Sequence, residues 1–117
     1  MHRLFRAFVN SCRGFRAAAR TDQAFKQELV VLVAAVPAAF LLAAEPWKRL
    51  LLIGVIVVLL AIELLNTAIE KLADRVSRES DIEIGTVKDI GSAAVGLGIL
   101  LAGLTWLVVL AEWLGLL

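Results

Sequence analysis

The stretch LLLIGVIVVLLAIELLNTAIEKLADR, residues 50–75, decides the fold. Residues 50–62 carry no charge, but a helix needs ~20 residues to cross a bilayer core. The run reaches that length only by continuing through Glu63 and Asn66 to about residue 70, so the polar residues lie inside a membrane helix rather than after it. At 100° per residue Glu63, Asn66, Glu70 and Asp74 project from one side of that helix as a polar stripe. The rise of 1.5 Å per residue puts Glu63 ~10 Å from Glu70, deeper in the membrane. An acidic side chain at mid-span costs roughly 2.5–3.5 kcal/mol and normally faces a bundle interior or a wet cavity. Interhelical hydrogen bonding accounts for one such residue more readily than for three carboxylates and an amide. Oxygen donors of this kind on one face suit a hard cation such as Mg²⁺.

Two further spans flank this one, at about residues 28–45, interrupted by Pro37, and at about residues 90–113. The chain of 117 residues is 61% hydrophobic with a mean hydropathy of +0.88, well outside the range of soluble domains, and reads as one all-α membrane domain, 1–117. In EPWKR, residues 45–49, Pro46 is expected to end the first span, and Trp47 suits the interface, as Trp106 and Trp113 do near the far end of the third. Basic residues crowd the segments before the first span and between the second and third. The positive-inside rule therefore puts the N-terminus and the 70–89 connection in the cytoplasm and the C-terminus outside. Over residues 3–20, Arg3, Arg6, Asn10, Arg13, Arg16 and Arg20 recur every three or four positions opposite Phe5, Phe8, Cys12, Phe15 and Ala19. That pattern predicts an amphipathic helix lying on an anionic leaflet. Ala94, Gly98 and Ala102, four apart, predict close helix packing in the third span. The lone Cys12 forms no intrachain disulfide, His2 offers no metal cluster, and the net charge of +1 names no partner; no nucleic acid is expected.

Asp22 and Glu28 bring two more acids to the foot of the first span, and Asp22, following Thr21, also suits a helix N-cap. The connection at 76–92 reads as a charged, solvated link, although Lys88 and Asp89 precede Gly91 and Ser92, where a cation and a close-approach glycine could hold phosphate. No phosphate-binding GxxxxGK[ST], protein-kinase signature, HExxH or serine elbow occurs. On physical grounds alone, metal-assisted chemistry and proton or cation translocation stand level.

ELLNTAIEKLADR, followed by KDIGSAAV and preceded by FKQE, closely resembles the prokaryotic diacylglycerol kinase family, and the likeness covers nearly the whole chain. The resemblance implies a homotrimer in the bacterial inner membrane. Its active sites would lie between chains at the cytoplasmic surface and move the γ-phosphoryl of MgATP to diacylglycerol, giving phosphatidic acid. It implies Glu63 as general base with Asn66 orienting the reacting groups, and Asp22 and Glu70 as metal ligands. Arg3, Asn10, Asp22, Glu70, Glu79, Ser80, Asp81, Lys88 and Asp89 would hold ATP, and Arg3, Arg16, Glu63 and Ser92 the lipid. Three positions depart from the common pattern: Asp22 stands where Glu is usual, Asn10 where an aromatic residue is common, and Asp81 where His is usual. Undecaprenol is the alternative acceptor; LLNTAIE and KDIGSAAV lean toward the diacylglycerol branch.

Overall fold

The computed structural model describes residues 1–77 and 81–117, and among them the chain forms four helices: α1 (His2–Thr21), α2 (Gln23–Leu42), α3 (Pro46–Val76) and α4 (Ile82–Trp113). The last three are long and apolar enough to cross a membrane. Large apolar side chains such as Val33, Leu41, Leu97 and Leu107 lie exposed along them; on a multi-pass membrane protein such a surface faces lipid.

Each break between helices has a local cause. Asp22 adopts an extended backbone (φ −107°, ψ 110°) and accepts a hydrogen bond from the Ala24 amide at 3.0 Å, so α1 stops and α2 starts with one residue between them. Pro37 leaves α2 unbroken, and the helix ends at Leu42, four residues before Pro46. Pro46 therefore starts α3 instead of ending the first span: at the first helical position its missing N–H would have had no partner anyway. Arg49 reaches back from α3, donating from Nε to the Ala43 carbonyl at 2.7 Å and lying over the Phe40 ring. Asp81 caps α4, its Oδ1 accepting from the amides of Glu83 (2.8 Å) and Ile84 (3.4 Å).

Helix α3 is central, packed against both α2 and α4, which touch each other little. Its 31 residues extend ~46 Å against a hydrocarbon core of ~30 Å, so the charged turns containing Lys71, Asp74 and Arg75 stand clear of the apolar layer. Antiparallel to it, α4 buries Gly91, Gly98, Ala102 and Val109. Of the small residues four apart, Gly98 and Ala102 form the packing face, with Gly98 against Leu59 and Ile62, while Ala94 is exposed in the single chain. Trp106, read as an interfacial indole, turns inward near the C-terminal end of α4. It packs between α2 and α3, and its indole N–H donates to the Leu52 carbonyl at 3.0 Å. Helix α1 is held at its C-terminal end, where Ala18, Phe25 and Leu60 pack together and the Phe15 and Phe25 rings meet edge to face at 5.0 Å. Such a ring pair contributes about 0.5–1.5 kcal/mol beyond area burial.

Candidate functional site

The polar stripe on α3 lies between the junction of α1 and α2, which Thr67 and Lys71 meet, and α4, which Asn66 and Asp74 meet. Glu63 and Asn66 are buried, at 5% and 9% exposure, whereas Glu70 and Asp74 on the following turns are exposed. The Asn66 amide donates from Nδ2 to Glu70 Oε1 at 2.8 Å; because a carboxylate only accepts, this fixes which way the amide points. Thr67, beside Asn66, donates its hydroxyl to Asp22 Oδ2. Both oxygens of Asp22 are thus in use, one capping α2 and one tying α2 to α3. Lys71 adds a bond to the Thr21 hydroxyl at 3.2 Å.

Glu28 completes the group from the first turns of α2. Its charge bears on Glu63 and Asp22, and Glu63 in turn feels Asp22 and Glu70. Among the described residues two buried acceptors here have no hydrogen-bond donor: Glu28 Oε1 and Asn66 Oδ1. Leaving such atoms unpaired typically costs ~1–3 kcal/mol each, so they call for a donor or a cation. Among the described residues no three acidic, histidine or cysteine side chains converge on one ligating point. Mg²⁺ does not require that: it binds through one or two carboxylates, keeps waters and takes its remaining ligands from a substrate's phosphates. An all-oxygen donor set with unpaired acceptors fits such an ion, with Glu70 and Asp22 as anchors and Glu28 beside them.

Around this centre the candidate residues divide. Lys88 Nζ meets Asp74 Oδ1 at 2.5 Å, which brings α4 against the exposed end of the stripe, and Asp89 and Ser92 lie exposed nearby on the same helix. Asp81 begins α4, where its carboxylate serves as a cap. Arg3, Asn10 and Arg16 are exposed along α1. At 1.5 Å per residue along α1, Arg3 lies roughly 28 Å and Asn10 roughly 18 Å from Asp22, and Ser11, next to Asn10, lines a groove with Thr67 and Lys71 of α3. Glu79 and Ser80 fall outside the described residues. A groove of about 420 Å³ runs between α1 and α3, lined by Gly14, Ala18, Leu64 and Ala68 and by the polar side chains of Thr67 and Lys71.

Sequence reasoning gave no role to Glu28, and it passed over Thr67. For Thr67 a signal was available, since it lies four residues from Glu63 and shares its side of the helix. For Glu28 the signal was its place with Asp22 at the foot of the first span, but the extended backbone at Asp22 breaks the helical phase, so spacing did not show that the two acids share a side.

The family profile described as prokaryotic diacylglycerol kinase matches residues 9–110. The chain is 38% identical over 113 residues to a diacylglycerol kinase of Escherichia coli (strain K12), covering 97% of this chain and 93% of that one. It is 39% identical over 110 residues to a diacylglycerol kinase of Pseudomonas aeruginosa, covering 94% and 89% of the two chains. A Haemophilus influenzae diacylglycerol kinase is 31% identical over 96 residues, with coverage of 82% and 81%.

Proposed function

The chain belongs to the prokaryotic diacylglycerol kinase family, and from that premise we propose that it is an ATP-dependent lipid kinase. It transfers the γ-phosphoryl of MgATP to the primary hydroxyl of diacylglycerol and so makes phosphatidic acid. The observation that carries this reading is the burial of Glu63 and Asn66 beneath an exposed acidic end. A carboxylate about 10 Å below the water-facing Glu70 lies where a lipid headgroup can reach it and a nucleotide can meet that headgroup.

Glu63 accepts the proton of the lipid hydroxyl as its oxygen bonds to the γ-phosphorus and the bond from phosphorus to the bridging oxygen of ADP breaks. Asn66 orients the reacting groups. The groove between α1 and α3 gives the lipid an apolar surface beside the site, with Thr67 and Lys71 offering hydrogen bonds to its glycerol end. Glu70 and Asp22 hold Mg²⁺, which when bound offsets the negative charge of the phosphate oxygens. Lys88 exchanges Asp74 for the nucleotide's phosphates, with Asp89, Asp81, Glu79 and Ser80 toward the adenosine side. Such transfer depends mostly on position and charge, so a small set of side chains suffices.

The site works in a homotrimer. Family membership supports this; Arg3 and Asn10 reach the nucleotide from α1, and Arg16 and Ser92 complete the lipid contacts. Helix α1 lies on the cytoplasmic leaflet of the inner membrane with its arginines toward the headgroups. Translocation of protons or cations fits less well: among the described residues the acids Glu28, Glu63 and Glu70 group toward one end of the bundle, while at the other end Glu45 and Glu112 are bound to Lys48. A phosphoryl-transfer assay in mixed micelles, with MgATP and with diacylglycerol and undecaprenol in competition, tests the reading. Diacylglycerol is expected to be the preferred acceptor. Preference for the polyprenol would move the chain to that alternative, and no lipid phosphorylation would end the kinase reading.

A further inference from the structure

Gly91 is buried on α4 opposite Asn66 of α3. A Cβ built on it would stand 2.2 Å from Asn66 Oδ1 and 3.3 Å from Asn66 Cγ, far inside contact distance. The carbonyl oxygen of Asn66 thus occupies the space a side chain at position 91 would fill. Gly98, one helical stretch further on, differs in kind: a Cβ there meets the ends of Leu59 and Ile62 at 3.0 and 3.2 Å, and those ends can give. The consequence at Asn66 runs through its amide. With Oδ1 seated against Gly91, Nδ2 is aimed down the helix at Glu70 Oε1.

We propose that Gly91 is a positioning residue: the space left by its missing side chain seats the Asn66 carbonyl, and that seat holds Glu70 in the orientation in which it binds the metal. Any side chain at 91 turns the amide and frees the Glu70 carboxylate. The inference rests on the lipid-kinase reading for its use of Glu70, although the seat itself does not.

The test uses the purified, assembled protein in detergent as wild type, Gly91→Ala, Asn66→Ala, the double variant, and Gly98→Ala as a packing control. Mn²⁺ binding is read by electron paramagnetic resonance in the presence of a non-hydrolysable ATP analogue, alongside the Mg²⁺ concentration for half-maximal turnover. Gly91→Ala is expected to weaken Mn²⁺ binding on the order of tenfold, as loss of a group that orients a metal ligand does. Its unfolding temperature should hold or rise, since alanine is the better helix former. In the Asn66→Ala background the Gly91 substitution should cost nothing more, because the oxygen it strikes is gone. Gly98→Ala should bind Mn²⁺ as wild type does. The chain has two asparagines, Asn10 and Asn66, so ¹⁵N-asparagine labelling gives a direct signature: Gly91→Ala should move one side-chain amide pair and leave the other. Unchanged Mn²⁺ binding in Gly91→Ala, or an equal loss in both backgrounds, overturns the proposal. Should Gly91→Ala fail to fold, the double variant decides: matching Asn66→Ala supports the seat, and binding Mn²⁺ worse than Asn66→Ala overturns it. A wild type that binds Mn²⁺ but phosphorylates no lipid defeats the kinase reading and leaves the seat to be judged by the Mn²⁺ and amide signals.

Discussion

The two ends of α3 both carry charge and handle it in opposite ways. At its start Lys48 bonds Glu45 at 3.2 Å and also Glu112 of α4, with both carboxylates more than half exposed. Toward its other end Glu63 is buried among Asp22, Glu28 and Glu70, and two acceptor oxygens have no donor among the described residues. The first arrangement is satisfied by its own residues and touches water. In the second, like charges share a poorly solvated space, an arrangement that becomes favourable when a cation or a hydrogen-bonding substrate enters. Charge links α3 to α4 at both ends, through Lys48–Glu112 and Asp74–Lys88, and only the second end also holds a buried acidic group, which we propose receives a ligand.

Substitutions should separate the two ends. The largest effect is expected from Glu63→Gln, which keeps the shape and removes the base. Turnover should fall ~10²–10⁴-fold while unfolding temperature and assembly size stay put, and an active variant would remove Glu63 from the proton-transfer step. Next comes Glu70→Gln: the Mg²⁺ concentration for half-maximal turnover should rise roughly tenfold or more, since a direct ligand matters at least as much as the groups that orient one. An unshifted metal titration would take Glu70 out of the ligand set. Trp106→Phe reverses the pattern, lowering stability by about 1 kcal/mol through loss of its bond to Leu52 and leaving the metal titration alone. Lys48→Met should do least. An exposed ion pair is screened by salt, so denaturation should shift, if at all, only at low ionic strength, with turnover unchanged. A large loss of activity in Lys48→Met would erase the distinction between the ends.

The three crossings were legible because apolar runs of membrane length have few other uses. Helix ends were less so: α3 runs on to Val76 and α4 starts at Ile82, since the charges at Lys71–Arg75 and Glu83–Asp89 stop a hydropathy window without stopping a helix. Trp106 read as an interfacial indole because sequence does not say which carbonyl lies opposite an N–H. At the candidate site the stripe on α3 was visible from helical spacing, and the capping role of Asp22 from its place after Thr21. The tie from Thr67 to Asp22 and the approach of Gly91 to Asn66 depend on which helices lie side by side, and no periodicity within one helix carries that information.

The pairing of α3 with α4 has a further consequence. Apolar side chains in lipid hold two helices together almost equally well after a slip of one turn, ~5.4 Å along the axis. Such a slip would bring Val87 or Val95 to the place of Gly91 and close the space that Asn66 uses. Three polar ties resist it: Trp106 to Leu52 and Lys48 to Glu112 at the end of α3 far from Glu70, and Lys88 to Asp74 beside the site. Each can be met at one alignment only, so they act as a vernier. The longitudinal setting of the acidic site is thus gauged from both ends of α3 at once, so that removal of one tie leaves the alignment to the other two.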